Sequence, residues 1–258
     1  MAHDRPFAGI LLMLGFCVLA PLGDSIAKLL GGSVSLGLLL LTRFAIQAGL
    51  LVPLVIWSRR SLWPPEGTGV LIAVRTGLHI VGIGLMFSAL RYLPLADALA
   101  IAFVMPFIML LLGYLVLGEE VGPQRLAACA VGFVGTLLVI QPNFVDVGWP
   151  ALLPLGVAVV FALFMLVTRR IARALDPIQL QAINGVQASV ILLPVVWLWP
   201  GAVAVPDAGT VALLLALGGL GTAAHLMMTW SLRFAPTSTV APRRRCSLVS
   251  VSTVSTTG

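Results

Sequence analysis

Polar residues are so sparse along this chain that its organisation is read from the interruptions. Eight nearly unbroken apolar runs, at about 7–30, 34–57, 69–92, 95–117, 123–140, 149–171, 177–199 and 210–234, alternate with short stretches rich in Gly, Pro, Ser, Arg or Asp. Most of these runs hold about 20 residues or more, the length a helix needs to cross a hydrocarbon core of roughly 30 Å. They are continuous rather than alternating, which disfavours a membrane β-barrel. The pattern predicts an all-α, polytopic membrane protein. Gly31-Gly32-Ser33 marks one turn, and Trp63-Pro64-Pro65 places an interfacial aromatic and two helix breakers in another. Pro106, inside the fourth run, is expected to bend it.

One segment returns. Ala89-Leu-Arg-Tyr-Leu-Pro94 reappears as Ser231-Leu-Arg-Phe-Ala-Pro236, so Arg91 matches Arg233 at an offset of 142 residues. The same register lays Ala27-Lys28-Leu29 on Arg169-Arg170-Ile171, and it brings Pro53 to within one position of Pro194. Shared helix order and shared proline positions argue for duplication. Because the unit has five helices, an odd number, the second copy enters from the opposite face and the repeat is inverted. Inverted repeats are an architecture of secondary transporters, with the substrate held near midplane between the copies. The expected division is 1–142 for the first repeat, 143–242 for an incomplete second repeat of three helices, and 243–258 for an aberrant, disordered tail. About eight helices are thus present of an expected ten. Arg243-Arg244-Arg245 and the Ser/Thr/Val run after it cannot span, since each Arg at a bilayer centre costs about 2.5–3.5 kcal/mol. A frameshifted or truncated end is the expectation.

Composition agrees with a lipid solvent. The 258 residues are 60% hydrophobic and 9% charged, against about 25% charged in soluble domains, and the mean hydropathy is +1.10. The net charge of +6 would suggest nucleic acid, but the positive residues are scattered over helix ends and only Arg243-Arg244-Arg245 is a cluster. Nucleic acid is therefore excluded as a partner. The charges instead orient the chain. With the N-terminus in the cytoplasm, Arg5, Arg59, Arg60, Arg75, Arg125, Arg169, Arg170, Arg173 and Arg233 fall inside, and only Lys28 and Arg91 fall outside. Cys17, Cys129 and Cys246 are too far apart for a metal or redox motif. No metal or cofactor is expected, and the first run, long enough to span and without a small-residue cleavage site, is expected to stay.

The stretch LPLADALAIAFVMPFIMLLLGYLVLGEEVGPQRLAACAVGFVGTLLVIQP has a proline-led helix, a terminal L-G-E and a G-x-x-G-x-L-L-V-x-x-P helix. These features resemble the drug/metabolite transporter superfamily, in particular EamA-type permeases. GDSIAKLL in the first run resembles the branch with S-adenosylmethionine and riboflavin uptake carriers. The resemblance covers about residues 7–242 and implies ten helices in two inverted five-helix halves. It implies a permease in the inner membrane that moves a small polar metabolite by alternating access. The partners expected are the small-molecule substrate and the lipid bilayer, with a homodimer as a candidate assembly. Two alternatives stand beside this: a non-functional truncated fragment, and a membrane-embedded transferase. The second would need Asp or His motifs clustered at one membrane face, and none is found, so no enzyme is expected.

Ionisable and polar residues inside spans are functional candidates by default. Asp24 and Lys28 lie four apart on one helix face, where the acid would bind a proton or a cationic group; otherwise Lys28 snorkels and pairs with Asp24. Arg43 lies deep in the second run, where its planar fork would hold a carboxylate or phosphate; the plain alternative is a structural pair. His79 and His225 are not repeat equivalents and would face a polar substrate, or bond a neighbouring helix. Asn184, with Gln187 nearby, and Trp230 would line a cavity, or simply serve interhelical bonding and packing. The candidate substrate-binding set is therefore Asp24, Lys28, Arg43, His79, Asn184, His225 and Trp230.

Overall fold

The computed structural model describes residues 6–117, 122–140, 148–172, 174–198 and 207–234, and among these every regular element is helical. The helices are α1 (Pro6–Leu30), α2 (Leu36–Trp57), α3 (Gly69–Tyr92), α4 (Leu95–Ala102), α5 (Met105–Leu117), α6 (Pro123–Ile140), α7 (Leu152–Ile171), α8 (Pro177–Leu198) and α9 (Ala208–Phe234), with one 3₁₀ turn at Trp149–Ala151. Seven stretches are long and apolar enough to cross a membrane, α4 and α5 counting together as one. The chain is accordingly a multi-pass membrane protein. Expectations that concern Arg5, Pro142, Arg173, Pro236 and the tail at 243–258 fall outside the described residues.

Helix starts follow the local chemistry. Ser35 Oγ accepts the Leu38 N–H at 3.3 Å ahead of α2, and Asp176 Oδ1 accepts the Ile178 N–H at 3.0 Å beside Pro177. Asp207 takes the Thr210 N–H at 3.3 Å before α9, and its hydrogen bonds to Thr210 hold the carboxyl below the usual range. The fourth run is broken rather than bent. Phe103 and Val104 leave the helix, and Pro106 enters the first turn of α5, where its missing N–H costs least.

The most extensive helix pairs are α1 with α9, α2 with α8, and α3 with α7, while α6 lies outside against α4 and α5. Lys28 Nζ donates to Leu90 O at 2.9 Å and Leu93 O at 2.7 Å, which fixes α1 to the carboxyl end of α3. Arg91 Nη2 donates to Val34 O at 2.9 Å at the same end of the bundle. At the opposite end of α2, Asp176 bridges Arg60 at 2.5 Å and Arg233 at 3.5 Å. Lys28 and Arg91 thus lie at one end of the bundle and Arg60 and Arg233 at the other. Arg75 does not follow that pattern. Expected at an inside helix end, it is fully buried in the core with 0% exposure.

Large apolar side chains such as Leu14, Val18, Val74 and Leu193 point outward. Apolar helices surrounded by lipid gain nothing by hiding such residues from each other. Polar side chains are drawn inward beside apolar ones such as Phe44, Phe164 and Leu217: Arg43, Gln47, Arg75, Thr76, His79, Thr168, Gln181, Asn184, Thr222, His225 and Thr229 are all buried.

Candidate functional site

The polar side chains meet because they recur one helical turn apart. α2 presents Arg43 and Gln47, α3 Arg75 and His79, α8 Gln181 and Asn184, and α9 His225 and Thr229. Spacing of three or four puts each pair on one face. Stacked at the same depth, the four faces and Thr168 of α7 form one network.

One arm of it links α2, α8 and α9. Arg43 Nη1 donates to Gln47 Oε1 at 3.0 Å, and Arg43 Nη2 lies 3.0 Å from His225 Nδ1. Gln47 Nε2 donates to Gln181 O at 2.7 Å, and Gln181 Nε2 donates to His225 O at 3.0 Å and Thr229 Oγ1 at 2.8 Å. The other arm links α3, α7 and α8. Arg75 Nε donates to Thr168 Oγ1 at 2.8 Å and Nη1 to Asn184 Oδ1 at 3.0 Å, while the guanidinium lies 4.5 Å from the Phe164 ring centre. The same Oδ1 is 2.6 Å from His79 Nδ1. The arms meet where the His79 and His225 ring centres approach to 4.4 Å. Neither Arg43 nor Arg75 has a carboxylate within ion-pair distance among the described residues.

The partners fix the tautomer of His79. Asn184 Oδ1 must face Arg75, a group that only donates, so His79 Nδ1 carries the proton and its Nε2 is a bare acceptor. At His225, Nδ1 faces both a donor, Arg43 Nη2, and an acceptor, Gly221 O, the latter at 2.9 Å.

Beside this network lies a cavity of about 370 Å³, lined from α1, α2, α3, α4, α5, α7 and α9. Its wall is mostly Met, Phe and small residues, interrupted by Asp24, Arg43 and His225. The α4–α5 break, through Phe103, Met105 and Pro106, forms part of that wall. Gly221 makes room for the arginine. A Cβ there would collide with Arg43 Nε and Cζ. Such a site can hold a molecule with an apolar body and a charged or polar head. Among the described residues no three His, Cys, Asp or Glu side chains gather to hold a metal ion.

Of the candidate residues, Asp24, Arg43 and His225 reach the cavity together. His79 and Asn184 lie in the buried network directly behind His225. Lys28 sits elsewhere, on the end carbonyls of α3, and Trp230 is not among the lining residues. Sequence reasoning missed Gln181 and the burial of Arg75. The signal was present: Gln181 precedes Asn184 by one turn, and Arg75 precedes His79 by one turn.

Comparisons with known proteins agree with this fold. Residues 7–141 match the EamA-like transporter family. A riboflavin transporter of Rhizobium johnstonii is 33% identical over 65% of this chain and 55% of its own length. One from Brucella anthropi is 28% identical over 64% of this chain and 61% of its length. The chain therefore spans little more than half the length of these two relatives. An S-adenosylmethionine uptake transporter of Rickettsia prowazekii is 23% identical over 93% of this chain and 81% of its length. A crystal structure at 23% identity superposes with a TM-score of 0.65, covering 88% of this chain and 78% of that one, which establishes a shared fold.

Proposed function

This chain belongs to the EamA-like transporter family, and from that premise we propose that it is a secondary transporter. It moves a small polar metabolite across the inner membrane by alternating access, with the N-terminus in the cytoplasm. The observation that carries this reading is the cavity itself, to which helices from both sides of position 142 contribute. Residues 1–142 and 143–242 are then two inverted units, and the substrate rests between them. A broken helix at the cavity wall also suits a carrier, because non-helical backbone at membrane depth is tolerated where it lines a cavity.

The substrate's apolar body lies among Phe16, Met86 and Phe161, and its head lies between Asp24 and Arg43. Arg43 takes an acidic or carbonyl group; Asp24 takes a cationic group or the coupling proton. Both molecules in the relatives' names, riboflavin and S-adenosylmethionine, combine a large ring system with a polar tail and are the first substrates to try.

The test is uptake of each compound into lipid vesicles holding the purified protein, with and without a proton gradient. Accumulation above protein-free vesicles is expected for at least one of them. Asp24→Asn is expected to remove most of the gradient's effect, because an amide cannot exchange the proton. Uptake that rises with the gradient equally in Asp24→Asn and the parent protein would end the case for coupling at Asp24.

A further inference from the structure

The buried network behind the cavity is not saturated. Four of its polar atoms are closed off from solvent and have no hydrogen-bond partner among the described residues: Arg75 Nη2, Asn184 Nδ2, His225 Nε2 and His79 Nε2. Native interiors leave few such atoms, because each gives up its hydration without a replacement, and a charged group gives up the most. Here four fall in one cluster. Arg75 Nη2 and Asn184 Nδ2 are donors, and His79 Nε2 is an acceptor. The buried guanidinium of Arg75 adds a positive charge with no carboxylate within ion-pair distance among the described residues, and the Phe164 face offsets it weakly. A cation buried without an acid is among the costliest arrangements in a protein.

We propose that this cluster is a binding site for a monovalent anion, held by Arg75 Nη2 and Asn184 Nδ2 beside the His225 ring. The ligand has the chemistry of a small halide or a carboxylate, since the site offers a charged guanidinium N–H and an amide N–H. The route in is through His225. This ring lines the cavity on one side and meets His79 on the other, so parting the two imidazoles joins the cavity to the cluster.

Asn184 supplies the decisive variant. Its Oδ1 already accepts from Arg75 Nη1 and His79 Nδ1, while its Nδ2 lacks a partner. Asn184→Asp keeps the shape, replaces that donor by a second acceptor, and builds the anion into the chain beside Arg75. The experiment is thermal unfolding of the purified protein in detergent, followed by circular dichroism. Sodium chloride, formate or benzoate is titrated in at constant ionic strength, made up with bulky gluconate.

The parent protein is expected to show a saturating rise of about 2–4 °C in its unfolding midpoint. Asn184→Asp is expected to start higher than the parent and show no further rise. Arg75→Gln should lose the response; should it fail to fold, Asn184→Asp decides alone. A response to chloride and formate assigns the site to a free small anion. A response to benzoate alone assigns it to the acid group of a molecule whose apolar body occupies the cavity. No saturable response to any of the three, or an equal response in Asn184→Asp, overturns the proposal. Neither outcome measures transport, so failure here leaves the carrier reading to its own test.

Discussion

Adding one methyl group at Gly185 is expected to destabilise the protein by about 3 kcal/mol, the upper range for overpacking a tight interior. α8 crosses α2 here at backbone contact. A Cβ on Gly185 would lie 2.8 Å from Ala48 N and 3.2 Å from both Ala48 Cα and Phe44 O. These neighbours are main-chain atoms that cannot rotate away, so the helices must separate. The separation falls one turn from the Gln47 to Gln181 bond, at 2.7 Å, and weakens it too. Better helix propensity returns no more than about 1 kcal/mol. Gly49→Ala is the control, because nothing lies within 4 Å of a Cβ there; it is expected to be neutral or mildly stabilising. Thermal unfolding of the two variants should move in different directions. Equal, small effects would mean that α2 and α8 are not seated so closely.

Arg43→Gln is expected to raise the substrate concentration for half-maximal uptake by about 10–100-fold, the loss of one charge-assisted interaction of about 1.5–3 kcal/mol. Arg43 both lines the cavity and holds His225 by its Nδ1, so the change removes a charge and frees the imidazole that stands beside the substrate. Arg43→Lys should recover only part of the loss, since an ammonium cannot reach Gln47 and His225 with one planar fork. Gly221→Ala leaves the arginine in the sequence but takes its place in space, and should therefore resemble Arg43→Gln in uptake. Half-saturation unchanged in all three variants would remove Arg43 from substrate recognition.

The sequence made the helices legible and their faces nearly illegible. Length and continuity of the apolar runs placed α1, α2, α3 and α7 within a few residues, and Pro106 flagged the interruption between α4 and α5. Hydrophobic periodicity could not reveal the inward face, because in lipid the outward face is equally apolar and Leu14 or Val74 point away from the core. Polar residues carried that information instead. Arg43, His79, Asn184 and His225 stood out as isolated polar positions in apolar runs, and all four are buried near one another. Arg75 was misplaced because a basic residue six positions into a span is easily counted with its cytoplasmic end. Lys28 was legible as an interfacial cation, but its tie to Leu90 and Leu93 depends on the approach of α3, which no local pattern encodes.

The most direct test of the central claim, that the transported molecule sits in this cavity, uses a thiol already in place. Cys17 lines the cavity on α1 and is exposed, while Cys129 lies on α6. In a Cys129→Ser, Cys246→Ser background, the rate at which a small polar thiol reagent modifies Cys17 is measured with and without the transported compound. The account predicts that saturating substrate slows the modification several-fold, and that Arg43→Gln shifts this protection to higher concentrations. A modification rate that does not change while uptake proceeds would place the substrate elsewhere and contradict the account.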